Sequence, residues 1–272
     1  CSGVCVMRNQ LAGQVAWISG GASGIGAATA ELLANTGASV VVADVRDKDG
    51  EQLVNRINSA GGKAIYSSCN VASSDQVSNS IESTVAKFGA LNIVVNCAGI
   101  VHVGLLHDYA SDDWDQLMGI NVKGIFFTLK HAFPHFQKND RSYMVNVGSI
   151  SSHVGQRSTP AYTTSKGAVL SLTQSIALDY AAIGLRCNCV NPGITDTPML
   201  RQHLNTTPNP DETLRHRVRR VPMNRAMQPD EIARTILYLS CEDSAGVNGT
   251  SIVVDGGYLA AAEWDTTDDL RD

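Results

Sequence analysis

Short apolar runs of strand length alternate with longer segments of helical period along most of the chain. The predicted strands are residues 15–19, 39–44, 64–68, 93–96, 143–147, 186–190 and 251–254. The predicted helices between them include residues 24–35, 75–88, 113–133 and 161–180. Several strands are almost wholly apolar, as expected for strands covered on both faces. The alternation predicts a single-domain α/β fold, a doubly wound parallel sheet of about seven strands with helices on both faces.

A glycine-rich stretch, SGGASGIG over residues 19–26, follows the first predicted strand and leads into the first predicted helix. Glycine lets the backbone approach a diphosphate closely and adopt turn conformations that other residues avoid. The start of the helix adds free N–H groups and the positive end of a dipole, which favour an anion. The position of the stretch between strand and helix indicates a dinucleotide-binding site.

Asp44 ends the second predicted strand, 18 residues beyond Gly26. A carboxylate there can accept hydrogen bonds from the adenosine ribose hydroxyls and repels a 2′-phosphate, so NAD is favoured over NADP. Arg46 could contact a phosphate, but Asp44 holds the nearer position. The alternative is that Asp44 only ends a strand beside Arg46.

Tyr162 and Lys166 stand four residues apart in a predicted helix, so they share one face of it. A free phenol is a poor base at neutral pH, and a neighbouring ammonium favours the phenolate. Ser149 follows a strand at its carboxyl end, where doubly wound sheets bind ligands, and Asn121 lies in the helical segment before that strand. The set predicts a proton-transfer site. Each residue also has a structural alternative: Ser149 as a cap, Asn121 as a satisfied core amide, and Tyr162 with Lys166 as a surface pair.

With these motifs the sequence resembles the short-chain dehydrogenase/reductase family, in its compact, NAD-preferring branch, from about Leu11 to Tyr258. The matching motifs are Gly20-x-x-x-Gly24-x-Gly26, Asn96-Cys97-Ala98-Gly99, Asn121, Ser149, Tyr162-x-x-x-Lys166, Asn191-Pro192-Gly193 with Thr197, and Val254-Asp255-Gly256-Gly257. Three positions depart from the family pattern: Ser19 stands where threonine is usual, Asn70 stands where aspartate is common, and Cys97 replaces the second asparagine of Asn-Asn-Ala-Gly. The resemblance implies a Rossmann-type fold.

The resemblance also implies an enzyme that moves a hydride between NAD and a secondary alcohol or ketone. Tyr162 would take or give the substrate proton, Lys166 would stabilise the phenolate and bind the nicotinamide ribose, and Ser149 would hydrogen-bond the substrate oxygen. Asn121 would help to hold a water in a proton relay beyond Lys166. The cofactor contacts would come from Gly20, Ser23, Gly24, Ile25, Gly26, Asp44, Asn70, Val71, Asn96, Ala98, Gly99, Tyr162, Lys166, Pro192, Gly193, Ile194 and Thr197.

We predict one catalytic domain over residues 11–258, with a substrate lid at residues 193–228 where 36 residues hold no predicted strand. An N-terminal extension, residues 1–10, is expected to be disordered, and an acidic tail covers residues 259–272. A net charge of −5 argues against nucleic-acid and anionic-membrane partners, and no apolar run is long enough to predict a membrane span. The seven cysteines form no paired Cys-x-x-Cys sites, which favours reduced thiols in a cytoplasmic protein without a bound metal. The resemblance further implies a homotetramer.

The lid segment is rich in arginine, and its six arginines against three acidic residues give a local charge of +3. The arginines are Arg201, Arg215, Arg217, Arg219, Arg220 and Arg225. Because arginine suits bidentate carboxylate recognition, we hypothesise a small anionic or polyhydroxylated substrate, such as a sugar acid, a hydroxy acid or a polyol. Ser151, His153 and Arg157 are expected to face it. The alternative is that the arginines are solvated or pair with another subunit, for which the acidic tail is a candidate partner.

Two other functions stay open. A carbonyl reductase of the ketoacyl type would normally require NADPH and basic residues where Asp44 stands. A non-catalytic NAD-binding sensor would be expected to have a broken catalytic set, whereas all four positions are filled in this sequence.

Overall fold

The computed structural model describes residues 10–261, and a seven-stranded sheet lies at the centre of this part. The strands are β1 (Val15–Ser19), β2 (Ser39–Asp44), β3 (Lys63–Ser68), β4 (Ile93–Asn96), β5 (Ser142–Val147), β6 (Leu185–Pro192) and β7 (Ser251–Val254). They are all parallel, in the order β3-β2-β1-β4-β5-β6-β7. The predicted doubly wound fold is confirmed. Most of the predicted N-terminal extension and acidic tail, residues 1–9 and 262–272, lies outside the described residues.

Helices cover both faces of the sheet. They are α1 (Gly24–Asn35), α2 (Asp47–Ser59), α3 (Ser74–Phe88), α4 (Ser111–Met118), α5 (Gly124–Phe136), α6 (Pro160–Asp179), α7 (Pro198–Leu204), α8 (Pro210–Val218) and α9 (Pro229–Leu239). Helices α1, α2 and α9 pack on one face, and α3, α5 and α6 pack on the other. Burial on both faces explains why the central strands are apolar, since each fully buried large aliphatic side chain contributes about 1.5–3 kcal/mol. Among the described residues, no helix is long and apolar enough to cross a membrane.

The predicted helical segment over residues 113–133 is helical throughout, and it contains a π-helical turn, Gly119–Lys123, between α4 and α5. The buried side chain of Asn121 lies in this turn and hydrogen-bonds the loop after β4. A π-turn widens the helix locally and often marks a functional position.

The lid segment, residues 193–228, contains α7 and α8 and no strand, as predicted. Its two ends lie together, because Thr195 and Met227 form an isolated parallel bridge and the Met227 N–H donates to the Ile194 carbonyl at 2.7 Å. The segment therefore leaves and rejoins the fold at the carboxyl end of β6.

Candidate active site

The carboxyl ends of β1 and β4 lie side by side where the crossover direction of the sheet reverses, and doubly wound sheets bind ligands at this point. Two glycines of the glycine-rich stretch after β1, one in the loop and one in the first turn of α1, have no room for a side chain. A Cβ on Gly20, whose φ is +62°, would lie 2.7 Å from the Ala98 nitrogen, and a Cβ on Gly26 would lie 2.1 Å from the Gly20 carbonyl oxygen. Ser23 precedes α1 and makes no side-chain cap. Its hydroxyl and the first N–H groups of α1 are therefore available to an anion.

Asp44 is 8% exposed at the end of β2, and its carboxylate is fixed by backbone donors. Its Oδ2 accepts from the Ala22 N–H at 2.9 Å and its Oδ1 accepts from the Arg46 N–H at 3.0 Å. The Arg46 guanidinium lies 3.9 Å from Asp44 and 3.3 Å from Asp49. Each carboxylate oxygen of Asp44 keeps a further lone pair that can accept from a ribose hydroxyl.

Lys166 is buried, and its Nζ donates to the Val147 carbonyl at the end of β5 at 2.8 Å. The same nitrogen lies 5.5 Å from the centre of the Tyr162 ring. This leaves two of its three N–H donors for other groups. Tyr162 is partly exposed, and its hydroxyl forms no hydrogen bond with residues 10–261. The phenol is therefore free to meet a substrate beside a fixed positive charge.

Ser149 is held at its backbone by two side chains. Its N–H donates to Asn191 Oδ1 at 3.1 Å and to Ser152 Oγ at 3.3 Å. Asn191 in turn donates to Ser251 Oγ on β7 at 2.7 Å, which fixes the amide. The Oγ of Ser149 accepts from the Ser151 N–H at 3.1 Å. Because this oxygen acts as an acceptor there, its proton is free to donate to a substrate oxygen.

Asn121 ties the loop after β4 to α6. Its Oδ1 accepts from the Ile100 N–H at 2.9 Å, and its Nδ2 donates to the Ile100 carbonyl and to Ser165 Oγ, both at 3.0 Å. A Cβ on Gly99 would lie 3.3 Å from Asn121 Oδ1 and 3.7 Å from Lys166 Nζ, so this loop runs directly past the lysine. Both amide hydrogens of Asn121 are thus engaged in tethering. The water-holding role that the resemblance implies stays a prediction.

The side-chain amides of two predicted cofactor residues, Asn96 and Asn70, form hydrogen bonds within the protein. Asn96 is buried and donates to Asn146 on β5 at 2.8 Å, so its side chain does not reach the cleft. Asn70 is exposed, and its Oδ1 accepts from the Ala72 N–H at 3.0 Å. Val71 beside it is buried under α5. The structure therefore brings the Ala98 and Gly99 backbone, rather than the Asn96 amide, to the site.

The chain after β6 runs from the sheet edge to the glycine loop. A Cβ on Gly193 would lie 2.7 Å from Asp255 Cα, so this turn packs against the end of β7. Thr197 caps α7, and a Cβ on Gly24 would lie 3.2 Å from its methyl group. The Ile194 N–H makes no hydrogen bond within the described residues and is free for a ligand. A cleft of about 500 Å³ opens beside α7, lined by Asp196, Thr197, Pro198, Arg201, Gln202 and Asn205.

The three predicted substrate residues do not converge. Ser151 is buried, and its hydroxyl donates to Gln156 at 3.0 Å. His153 is exposed, and its Nε2 lies 3.0 Å from Ser251 Oγ on β7. Arg157 is also exposed. Their part in substrate binding stays a prediction.

Three groups that hold the site together are absent from the predicted set: the Val147 carbonyl, the Asn191 side chain and the Ser165 hydroxyl. Asn191 carries a signal, because it belongs to the Asn191-Pro192-Gly193 motif, whereas Ser165 follows Thr163 and Thr164 in α6 and does not stand out. The Val147 carbonyl carries none, since every residue has one.

The sheet, the glycine loop and the polar cluster around Lys166 define an oxidoreductase of the Rossmann type. A family model described as enoyl-(acyl carrier protein) reductase matches residues 20–259. The chain belongs to the short-chain dehydrogenase/reductase family, whose members typically bind a nicotinamide cofactor.

Among its relatives, the 3-oxoacyl-[acyl-carrier-protein] reductase of Thermotoga maritima is 34% identical over 250 residues, which cover 92% of this chain and 99% of the relative. The cis-4-hydroxycyclohexanecarboxylate dehydrogenase of Sinomonas cyclohexanicum is 35% identical over 255 residues, covering 93% of this chain and 100% of the relative. The crystal structure of levodione reductase superposes with a TM-score of 0.90 at 27% identity, covering 93% of this chain and 100% of that one. The family therefore includes relatives that act on cyclic and hydroxy compounds.

Proposed function

We propose that this protein is an NAD-dependent alcohol dehydrogenase that interconverts a secondary alcohol and a ketone, with Tyr162 as the general acid–base. The observation that carries the proposal is the placement of the buried Lys166 ammonium, fixed by the Val147 carbonyl, 5.5 Å from the centre of the Tyr162 ring. A partly exposed phenol beside a buried cation, with no hydrogen bond to the described residues, is suited to exchange a proton with a substrate.

In the oxidation direction, the Tyr162 phenolate takes the proton of the substrate hydroxyl while the C–H bond of the carbinol carbon breaks with its electron pair. Lys166 stabilises the phenolate through its charge. The Ser149 hydroxyl donates a hydrogen bond to the substrate oxygen and holds it in place in both directions. In the reduction direction, the Tyr162 hydroxyl returns the proton to the carbonyl oxygen. Bound NAD would supply the hydride acceptor for this chemistry.

The residues at the sheet edge fit a dinucleotide. The cradle formed by Gly20 and Gly26, which any Cβ would fill, suits the close approach of a diphosphate at the start of α1. The Asp44 carboxylate would hold the adenosine ribose and repel a 2′-phosphate, which supports NAD over NADP. Ile194 and Thr197 would meet the nicotinamide end.

A hydroxy acid is the substrate class that we favour among the small alcohols. The lid segment carries a net charge of +3. The relative from Sinomonas cyclohexanicum is named for a cyclic hydroxy acid. Sugar acids and polyols are the next classes to test.

The experiment follows formation of the reduced nicotinamide with cis-4-hydroxycyclohexanecarboxylate, cyclohexanol and gluconate, each with NAD and with NADP. Activity with NAD should be lost in Tyr162→Phe and kept in Tyr238→Phe, which changes an exposed tyrosine on α9. Equal turnover by Tyr162→Phe and the wild type would contradict the assigned role.

A 3-oxoacyl reductase is the second candidate, because the relative from Thermotoga maritima carries that name. It predicts that NADPH is oxidised with a 3-oxoacyl thioester faster than NADH, whereas Asp44 predicts the reverse. A non-catalytic sensor predicts NAD binding by calorimetry without turnover of any compound in the panel.

We further propose a homotetramer. Phe126 on α5 and Leu178 on α6 are 51% and 81% exposed, and large apolar side chains on neighbouring helices favour contact with another subunit. Light scattering of the full chain tests this directly. A cytoplasmic location stays a prediction, which the free state of the described cysteines Cys69, Cys97, Cys187, Cys189 and Cys241 supports.

A further inference from the structure

Two of the six lid arginines are already held by carboxylates of the chain. Arg201 bonds both oxygens of Asp196 at 2.9 Å, and Arg225 bonds both oxygens of Glu231 at 2.7 and 2.6 Å. These bidentate pairs use the planar fork that would otherwise recognise a substrate carboxylate. Arg201 and Arg225 therefore belong to the internal structure of the lid segment.

Arg217 is placed differently. It is partly buried on α8, and it forms no ion pair with a carboxylate within residues 10–261. Its side-chain partner there is His203 on α7, whose Nε2 lies 3.2 Å from Arg217 Nη2. An arginine can only donate, so Nε2 must accept and the imidazole must be neutral with its proton on Nδ1. Burial and the charge of Arg217 lower the pKa of His203, which keeps the imidazole in this state.

Among the described residues, the cation is thus oriented by His203 but not neutralised by a carboxylate. Burial lowers the pKa of the Arg217 guanidinium, yet an arginine remains charged. A partly buried charge without a counterion is unfavourable, and an incoming anion relieves that cost. Its remaining N–H groups are available as donors.

The position of Arg217 relates it to the proposed site. The lid segment begins and ends at the carboxyl edge of the sheet, through Ile194 and Met227. Tyr258, which follows β7 at the same edge, lies beneath the Arg220 guanidinium at 5.2 Å from the ring centre. The end of the lid segment packs on the same residues, since a Cβ on Gly256 would lie 2.7 Å from the Val221 side chain and a Cβ on Gly257 would lie 3.1 Å from Pro222. Arg217 therefore lies on α8 of the lid segment, three residues before an arginine that contacts the residues following β7.

We propose that Arg217, oriented by His203, binds the carboxylate of the substrate. This inference rests on the proposed dehydrogenase function and adds a specificity-determining residue to it. The reacting carbinol would lie at Tyr162, and the carboxylate would lie on the lid side. Arg217 takes no part in hydride or proton transfer.

The test compares two alcohols that differ in one group, cis-4-hydroxycyclohexanecarboxylate and cyclohexanol. Arg217→Gln removes the charge, and Arg215→Gln is the matched control, an exposed arginine of the same helix. We expect Arg217→Gln to raise KM for the acid by about 10- to 100-fold, the effect of losing a charge-assisted hydrogen bond. The KM for cyclohexanol and the kcat for both alcohols should stay unchanged, and Arg215→Gln should resemble the wild type.

Two substitutions of His203 test whether this residue orients Arg217. Glutamine at this position can still accept from Arg217 through its amide oxygen, whereas leucine cannot. We expect His203→Gln to keep the acid preference and His203→Leu to raise KM for the acid. Equal effects of the two variants would mean that His203 only fills space, which would overturn its orienting role.

A binding measurement separates failure of this inference from failure of the proposed function. Cyclohexanecarboxylate lacks the hydroxyl and cannot react, so calorimetry on the protein with NAD reports the anion site alone. Turnover of neither alcohol would overturn the proposed function, while binding of the carboxylate that disappears in Arg217→Gln would still support the anion site. Turnover in which Arg217→Gln leaves the ratio of the two KM values unchanged would overturn the Arg217 proposal and leave the dehydrogenase standing.

The alternative partner for Arg217 is a carboxylate of the acidic tail. A full-length variant in which its five acidic side chains are neutralised distinguishes the two; these are Glu263, Asp265, Asp268, Asp269 and Asp272. If that variant and Arg217→Gln lower the melting temperature equally, and neither changes the preference for the acid, Arg217 pairs with the tail and the proposal is overturned.

Discussion

Replacement of Asp44 by asparagine tests the cofactor assignment most directly. The carboxylate is held by the Ala22 and Arg46 N–H groups at 2.9 and 3.0 Å, so the change removes a charge with little change of volume. A hydrogen bond to a charged group contributes about 1.5–3 kcal/mol, which NAD loses at its ribose. A charge of the 2′-phosphate about 4 Å away is repelled by about 1–4 kcal/mol, and that repulsion disappears. The sum is at least about 2.5 kcal/mol, so the preference for NAD over NADP should fall by roughly 70-fold or more.

The assay measures kcat/KM for NAD and for NADP at a saturating alcohol concentration. Arg46→Gln is the control, because the Arg46 guanidinium lies 3.9 Å from Asp44 and is the cation nearest to that carboxylate. We expect it to leave the use of NAD unchanged and to reduce the residual use of NADP. Thermal melting of Asp44→Asn identifies any loss of stability from an amide NH2 group that faces a backbone N–H. A lower melting temperature with an unchanged NAD/NADP ratio would refute the reasoning.

Three further predictions follow from the same geometry. Tyr162→Phe should lower kcat/KM by about 10²- to 10⁴-fold with unchanged NAD affinity, because the general acid–base is lost while the cofactor cradle stays intact; steady-state rates and calorimetry check both parts. Gly26→Ala should abolish NAD binding and lower the melting temperature, since its Cβ would lie 2.1 Å from the Gly20 carbonyl oxygen, whereas Gly155→Ala, with nothing within 4 Å, should do neither. The lowered pKa of His203 means that the unfolded chain binds a proton first as pH falls below about 6.5, so the free energy of unfolding should decrease from there downward. Urea denaturation above and below that pH should show this slope in the wild type and a smaller one in His203→Gln.

The sheet could be predicted closely because its strands are buried on both faces. Four of the seven strands, β1, β2, β4 and β7, begin and end at the predicted residues, while β3 and β5 are longer by one residue and β6 by three. An apolar run between polar loops leaves little freedom in where such a strand lies. The π-helical turn between α4 and α5 was not predictable in this way, because the helical period continues across it. Asn121 in this turn hydrogen-bonds Ile100, which is 21 residues away, and local periodicity does not report such a tertiary contact.

The roles of the six arginines in the lid segment could not be predicted from the sequence. All six arginines contribute equally to its charge, so the sequence singles out no one of them. Folding assigns Arg201 and Arg225 to carboxylates five and six residues away. It leaves Arg217 with a neutral imidazole 14 residues away. The packing of α7 against α8 determines which arginine is left without a carboxylate partner among the described residues. The periodicity of the sequence does not predict this packing.

Buried amides form the frame that holds the proposed catalytic groups. Asn96 joins β4 to β5 through Asn146, Asn191 joins Ser149 to β7, and Asn121 joins the loop after β4 to α6. A buried amide is unfavourable unless it is satisfied, so polar residues in these apolar elements weaken the fold unless each makes its bonds. Each of these amides hydrogen-bonds a second structural element, which offsets the free-energy cost of its burial. The same hydrogen bonds hold the two elements in a fixed relative position. Acid–base chemistry requires its groups to stay within about 0.5 Å of the productive position, and a frame of this kind supplies that precision where loops alone would not.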